Sequence, residues 1–345
     1  MKKYLLKLSS AMLLALALVL AGCSHDDDLE GPELVDLFGE FEILQPLTVS
    51  RTTVDFSAGE TVEFRALLSI RTPWEMRIEG LTSGALKVFE SNEKDISGDI
   101  ANWNGSITFA PSFQMGEQAV ATIRFTNYPD SLVSDTITIT GARPVPTGGV
   151  LISDFEDPNQ AFNVFSEAQF EESINGIAST LPAAFGSNYH YMKGTDNNGS
   201  VFVCGLGVSA QSATGEVHYP FTTSNENRVY FNAFIYGEGA QFTNMVIDFQ
   251  EDDNLDGTYV PAEEGTYNYT IKVDWVGWKL VSFPLSETQL STNGGLGNID
   301  ANGRKEVDRI INIQFILLSE GGQNAEPVGY GIDYAVFTEG QPFQP

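Results

Sequence analysis

Apolar and polar residues alternate with period two along most of this chain, and the alternation breaks at Gly, Asn, Asp and Pro. Thr61-Val62-Glu63-Phe64-Arg65-Ala66 and Trp74-Glu75-Met76-Arg77-Ile78 show it early, and Ala121-Thr122-Ile123-Arg124-Phe125 and Thr136-Ile137-Thr138-Ile139-Thr140 repeat it. Period two sends successive side chains to opposite faces of a half-buried strand, whereas a helix needs recurrence near 3.6. Beyond the first two dozen residues no long stretch has the helical period. The pattern predicts antiparallel sheets joined by short turns.

Residues 38–141 read as several short strands with turn signals between them, the pattern of an immunoglobulin-like β-sandwich. The segment has no cysteine, so the inter-sheet disulfide would be missing, and Trp74 and Trp103 are expected as packing residues. Gly141-Ala142-Arg143-Pro144-Val145-Pro146-Thr147-Gly148-Gly149 interrupts the alternation, and a linker is predicted over 142–149. From 150 to 345 the strands become longer and more aromatic. Arg228–Tyr236, Asn244–Gln250, Tyr267–Trp275, Trp278–Phe283, Ile310–Leu318 and Gly331–Phe337 are the clearest. One all-β domain of that size fits a two-sheet jelly roll.

The N-terminus departs from this pattern. Lys2, Lys3 and Lys7 precede an unbroken apolar run, Ala11 to Ala21. That run is far short of the roughly 20 residues that span a bilayer, so residues 1–22 read as a secretory signal. Leu20-Ala21-Gly22-Cys23 resembles a bacterial lipobox, and the resemblance implies that Cys23 becomes the first mature residue and carries lipid. Asp26, Asp27, Asp28 and Glu30 follow, making 23–37 an acidic, self-repelling tether. The run also resembles the signal that sends some lipoproteins to the outer face of the outer membrane.

Charge narrows the partners. Against 18 Lys and Arg stand 46 Asp and Glu, a formal net charge of −28. Such a chain repels nucleic acid and anionic headgroups. Divalent cations and uncharged glycans approach it without that penalty. With Cys23 acylated, Cys204 is left single in an apolar strand, where a thiol behaves as a small buried hydrophobe.

Three groups of residues could carry chemistry. Asp252-Asp253-Asn254-Leu255-Asp256-Gly257-Thr258-Tyr259-Val260-Pro261-Ala262-Glu263 fits the twelve-residue calcium-loop spacing, with Asp252, Asn254, Asp256, Thr258 and Glu263 as ligands. Its flanks read as strands, so a calcium-stapled hairpin is expected rather than an EF-hand. The alternative is a bare turn at Asp256-Gly257. Alternation in 229–236 puts Tyr230, Asn232, Phe234 and Tyr236 on one side, and the neighbouring patterns leave Asn244, Asp248 and Gln250, and Asn312 and Gln314, opposite their apolar faces. If these strands adjoin, the sheet shows tyrosines amid amides and a carboxylate, the mixture that stacks on sugar C–H faces and pairs with hydroxyls. The alternative is the ordinary wet face of a sheet. Tyr189 and Tyr191 could form a rim. The triple-acid strand motif of laminarinase-type glycosidases and Gly-x-Ser-x-Gly are both missing, which weighs towards binding rather than cleavage.

Ile152-Ser153-Asp154-Phe155-Glu156-Asp157, Trp278-Lys279-Leu280-Val281-Ser282-Phe283-Pro284-Leu285-Ser286 and Gly331-Ile332-Asp333-Tyr334-Ala335-Val336-Phe337 resemble, in order, segments of the galactose-binding-like jelly rolls used as carbohydrate-binding modules. With the leader and the first sandwich, the layout resembles the surface glycan-binding lipoproteins of starch-utilisation-type importers. The resemblance implies capture of extracellular glycan without cleavage, next to an outer-membrane importer. It places Trp278 in a core motif, leaving Trp275 as the exposed ring, and it implies a structural calcium held by Asp154, Glu156, Asp157 and Asp333. The competing readings are an adhesion or structural lipoprotein with a protein partner, and a glycan-cleaving enzyme.

Overall fold

A computed structural model describes residues 40–344 apart from 145–147, 167–172, 196–200, 262, 291–303 and 321–326. Cys23 and the acidic tether lie outside the described residues. The described chain is almost entirely β, as the alternation predicts.

The first ten strands are β1 (Ile43–Val49), β2 (Thr53–Asp55), β3 (Val62–Leu68), β4 (Trp74–Gly80), β5 (Leu86–Ser91), β6 (Asp95–Ile96), β7 (Asn102–Trp103), β8 (Gln118–Phe125), β9 (Tyr128–Val133) and β10 (Ile137–Gly141). They make two sheets: β1-β3-β6 with β7 also on β3, and β2-β10-β8-β4-β5 with β9 on β8. The period-two pattern decides which side chains go between them. Val62, Phe64, Ala66 and Leu68 of β3 face Trp74, Met76 and Ile78 of β4 and Ala119, Ala121 and Ile123 of β8 in one apolar cluster. Trp103 is fully buried, edge-on to Phe56 and Phe113 with ring centres 4.6 Å away in each case. Its indole N–H donates to the Ser106 carbonyl (3.1 Å), as a buried tryptophan must.

Twelve strands follow: β11 (Val150–Ser153), β12 (Asn163–Ser166), β13 (Ile174–Ala178), β14 (Tyr189–Gly194), β15 (Phe202–Ser209), β16 (Val229–Glu238), β17 (Thr243–Glu251), β18 (Thr266–Lys272), β19 (Val276–Pro284), β20 (Gln289–Leu290), β21 (Ile310–Ser319) and β22 (Val328–Glu339). A short helix, α1 (Ala210–Thr214), follows β15. One sheet runs β13-β14-β22-β16-β19, with β11 continuing along β22 beyond β14. The other runs β12-β15-β21-β17-β18-β20. The inner faces meet in an aromatic core: Phe231, Phe283 and Phe337 from the first sheet, Phe249 and Phe315 from the second. Tyr269 stacks on Phe283 at 3.8 Å. Cys204 is buried in this layer, and burial pushes its thiol up to about 12. It is a packing residue.

The outer side of the β16-containing sheet is not a free surface. Phe234, Tyr334 and Val336 from it, with Phe185 and Phe343, join the same apolar cluster as the core of the N-terminal sandwich. The Ser112 amide donates to the Ala184 carbonyl across the junction (2.7 Å). The two sandwiches are therefore cemented together, and the outer face of the β17-containing sheet lies on the other side of the C-terminal sandwich from the junction.

Candidate functional site

Strand register places a line of polar side chains across that outer face. Asn163 pairs with Gly207, Gly207 with Gln314, Gln314 with Asp248, Asp248 with Asn268, and Asn268 with Gln289. The flanking residues Ile247, Phe249, Ile313 and Phe315 all enter the core, so period two sends Asp248 and Gln314 outward. At one end of the line two glycines lie beneath side chains of β12. A Cβ on Gly207 would sit 3.3 Å from that of Asn163, and one on Gly205 would strike the Phe165 ring, which lies over it. Phe165 stacks with Phe202, ring centres 6.0 Å apart. Alongside, Asn312 Nδ2 donates to Gln250 Oε1 (2.8 Å), and Gln250 pairs with Thr266, whose hydroxyl bonds the phenol of Tyr259. Gly205 and Gly207 thus make room for Phe165 and Asn163 at the end of a file of amides.

Asp248 sits in the middle of the line. It is only 3% exposed and its Oδ1 has no hydrogen-bond partner. Burial lifts its carboxyl to about 7. An acceptor buried with no hydrogen-bond partner among the described residues is costly, which makes Asp248 a candidate functional residue.

The structure brings Asp248, Gln250, Asn312 and Gln314 together and separates them from the rest of the expected platform. Tyr230, Asn232 and Tyr236 belong to β16, in the opposite sheet, and share by alternation the face on which Phe234 joins the N-terminal core. Asn232 is fully buried. Its Nδ2 donates to the Val336 carbonyl (3.2 Å) and to Thr338 Oγ1 (3.1 Å), and its Oδ1 accepts from Ser282 Oγ (2.6 Å) and the Phe343 amide (3.0 Å). It fastens the C-terminal segment to the sheet. Tyr236 packs against Trp278, and Trp278 against Tyr189. Tyr189 is buried, its hydroxyl 3.0 Å from that of Thr180. Tyr191 donates to Glu238, which also holds Lys193 at 2.8 Å. Trp275 donates to the Ile235 carbonyl (3.2 Å) and packs against the inner core under Lys279. These rings belong to the packing of the first sheet. The two strand patterns that looked alike in sequence are layered back to back, which period two alone does not reveal. Asn163, Phe165 and Gln289 were missed because β12 and β20 are only 4 and 2 residues long, whereas Asn268 lies on a strand the alternation does predict and enters the file only through its pairing with Asp248.

The predicted calcium loop lies at one end of this face, between β17 and β18. Leu255 and Gly257 take left-handed backbone (φ 61° and 82°), which turns the chain so that the Asp256 and Gly257 amides donate to the Asp252 carboxylate (3.0 and 2.9 Å). His218 Nε2 lies 2.8 Å from the same carboxylate. Burial pushes Asp252 upward, but His218 and the two amides outweigh it and hold the group below its usual range. Asn254 and Thr258 are exposed; the Asn254 side chain bonds Asp256, and the Thr258 amide donates to Asp256 Oδ1 (2.8 Å). Glu263 is exposed and turned out. Its neighbour Glu264 is buried instead, and carboxylate oxygens of Asp252, Asp256 and Glu264 lie within 4.8 Å of one another. Among the described residues this is the one trio of acidic, histidine or cysteine groups so gathered.

The acids of the first and last strands are spent on backbone. Asp333 is fully buried and accepts from the Phe185 and Tyr334 amides (2.9 and 2.7 Å) at the irregularity in the β16–β22 pairing. Burial still holds its carboxyl well above the ordinary range. Glu156 accepts from the Ser187 and Asn188 amides (2.6 and 2.7 Å), Asp154 from the Glu156 amide (3.1 Å), and Asp157 from that of Asn159 (2.8 Å). Each carboxylate thus caps a turn or bulge, and the four do not form a convergent trio among the described residues.

No protein-family model matches the chain, and no curated protein matches it in sequence. Among solved structures it is similar to a family 11 carbohydrate-binding module from Clostridium thermocellum in complex with a β-1,3-1,4-mixed-linked tetrasaccharide, at TM-score 0.38 and 15% identity over 56% of this chain and 98% of that one. It is also similar to SGBP-B from a complex xyloglucan utilization locus in Bacteroides uniformis, at TM-score 0.35 and 12% identity over 86% and 73%. Likeness at this level says nothing of what this chain binds.

Proposed function

We propose that this protein binds a neutral polysaccharide or oligosaccharide along the outer face of the β12-β15-β21-β17-β18-β20 sheet and does not cleave it. One observation supports the reading above others: the file Asn163, Gln314, Asp248, Asn268 and Gln289, crossing six strands through Gly207 and beside the Phe165 ring. Six strands at about 4.8 Å spacing make a track of roughly 24 Å, long enough for several sugar rings. Amides donate and accept at once, as vicinal hydroxyls require. The described file contains a single carboxylate, Asp248, whereas glycoside hydrolysis works with a pair. On this reading the leader directs export, lipid on Cys23 anchors the chain to the outer membrane facing outward, and the N-terminal sandwich is a rigid spacer beside an importer.

Affinity electrophoresis of the chain without its leader (residues 24–345), through gels containing neutral polysaccharides, tests it. Retardation without new reducing ends supports capture. Reducing ends that accumulate would make it an enzyme, and retention by protein partners alone would make it an adhesin. Fatty-acid labelling that survives Cys23→Ala would overturn the anchor.

A further inference from the structure

Six acids crowd residues 251–264, and one of them is in an unusual position. Glu264 is fully buried, its Oε2 accepts from the Val260 amide (2.6 Å), and its Oε1 has no hydrogen-bond partner among the described residues. The same carboxylate lies within 4.8 Å of ligand oxygens from Asp252, also fully buried, and Asp256. Two buried carboxylates beside a third carboxylate repel one another strongly out of water. Asp252 is relieved by His218 and two amides; Glu264 Oε1 is not relieved by any described group.

We propose that Asp252, Asp256 and Glu264 hold a divalent cation of calcium's size, clamping the loop between β17 and β18. The donors are all oxygens, which selects a hard ion over zinc or copper. Calcium binds oxygen at about 2.3–2.6 Å, so two ligands on opposite sides of it stand nearly 5 Å apart. Three oxygens within 4.8 Å of one another can therefore close on calcium with little movement. Magnesium, at about 2.0–2.1 Å, needs a tighter octahedron. Asp256 is exposed and leaves a side open for water or backbone oxygens. Glu264 takes the closing place that the twelve-residue spacing assigns to Glu263, because Val260 holds it inward.

The test uses residues 24–345, stripped with chelator and then titrated with calcium chloride or magnesium chloride alone, read by calorimetry and by melting temperature. It needs no sugar, so it stands or falls apart from the glycan reading. One saturable calcium site per chain, tighter than that for magnesium, with a rise in Tm reversed by chelator, is the expected result. Asp256→Asn, on the surface, should weaken calcium on the order of tenfold or more. Glu263→Gln should leave it within a factor of about two. Glu264→Gln should abolish the calcium-induced rise in Tm yet melt no lower than the wild-type chain in chelator. Absence of saturable calcium binding, or loss of it in Glu263→Gln with retention in Asp256→Asn, would overturn the assignment. If Glu264→Gln does not fold, the Asp256→Asn and Glu263→Gln pair decides.

Discussion

Asp248→Asn should make this protein more stable and worse at binding, and the first effect can be worked out from burial. Raising a carboxyl from 3.8 to about 7 is worth on the order of 4 kcal/mol against the ionised folded form. The sign follows from proton counting. Between pH 4 and 7 the folded chain keeps the Asp248 proton and the unfolded chain releases it, so stability from this group falls as pH rises and levels off above 7. Asparagine has no such cost. Urea unfolding followed by tryptophan fluorescence at pH 4, 6 and 8 should show the variant gaining less than about 1 kcal/mol over wild type at pH 4 and up to about 4 at pH 8. Other carboxylates titrate equally in both proteins and cancel. A difference that stays flat across this range would refute the burial argument. An ionised acceptor bonded to sugar hydroxyls contributes about 1.5–3 kcal/mol, so at pH 8 the variant should bind glycan about 10- to 150-fold more weakly. Wild-type affinity should strengthen as pH rises through 7. Unchanged glycan affinity in the variant would remove Asp248 from the site.

Gln314→Ala and Asn268→Ala each delete a neutral partner from the same file, and titration calorimetry should show affinity falling about two- to tenfold with Tm unchanged. Tyr236→Ala should leave glycan affinity unaltered, because Tyr236 lies in the opposite sheet, and should lower unfolding free energy by about 1–2 kcal/mol through lost contact with Trp278. Asn232→Ala strands the buried Phe343 amide and the Ser282 hydroxyl, so denaturant unfolding should show a loss of about 2–3 kcal/mol.

Much of the architecture was legible in the chain because period two records which face of a strand is dry. Val62, Phe64, Ala66 and Leu68, or Met245, Ile247 and Phe249, point inward as their spacing requires. The twelve-residue acidic spacing likewise located a loop where carboxylates converge, since Asp256-Gly257 turns the chain locally. Spacing could not say whether Glu263 or Glu264 closes that loop. The choice depends on the Val260 amide and on burial, both made by the folded hairpin.

The division between sequence and tertiary structure is sharpest at β16 and β17. Tyr230, Asn232 and Tyr236 on one strand and Asp248 and Gln250 on the other are all outward by periodicity, and the sequence alone establishes that. Periodicity carries no information about which sheet a strand joins or what covers that sheet. Long-range pairing put β16 beside β19 and β22 and β17 beside β18 and β21. Docking of the N-terminal sandwich then covered much of the first outer face, while the second lies on the opposite side of the C-terminal sandwich. A polar side chain on an outer face becomes a structural bond when another layer lands on it and satisfies it, as at Asn232, and keeps an unspent acceptor when no described group does so, as at Asp248. Packing between sheets distant in sequence decided between those two outcomes.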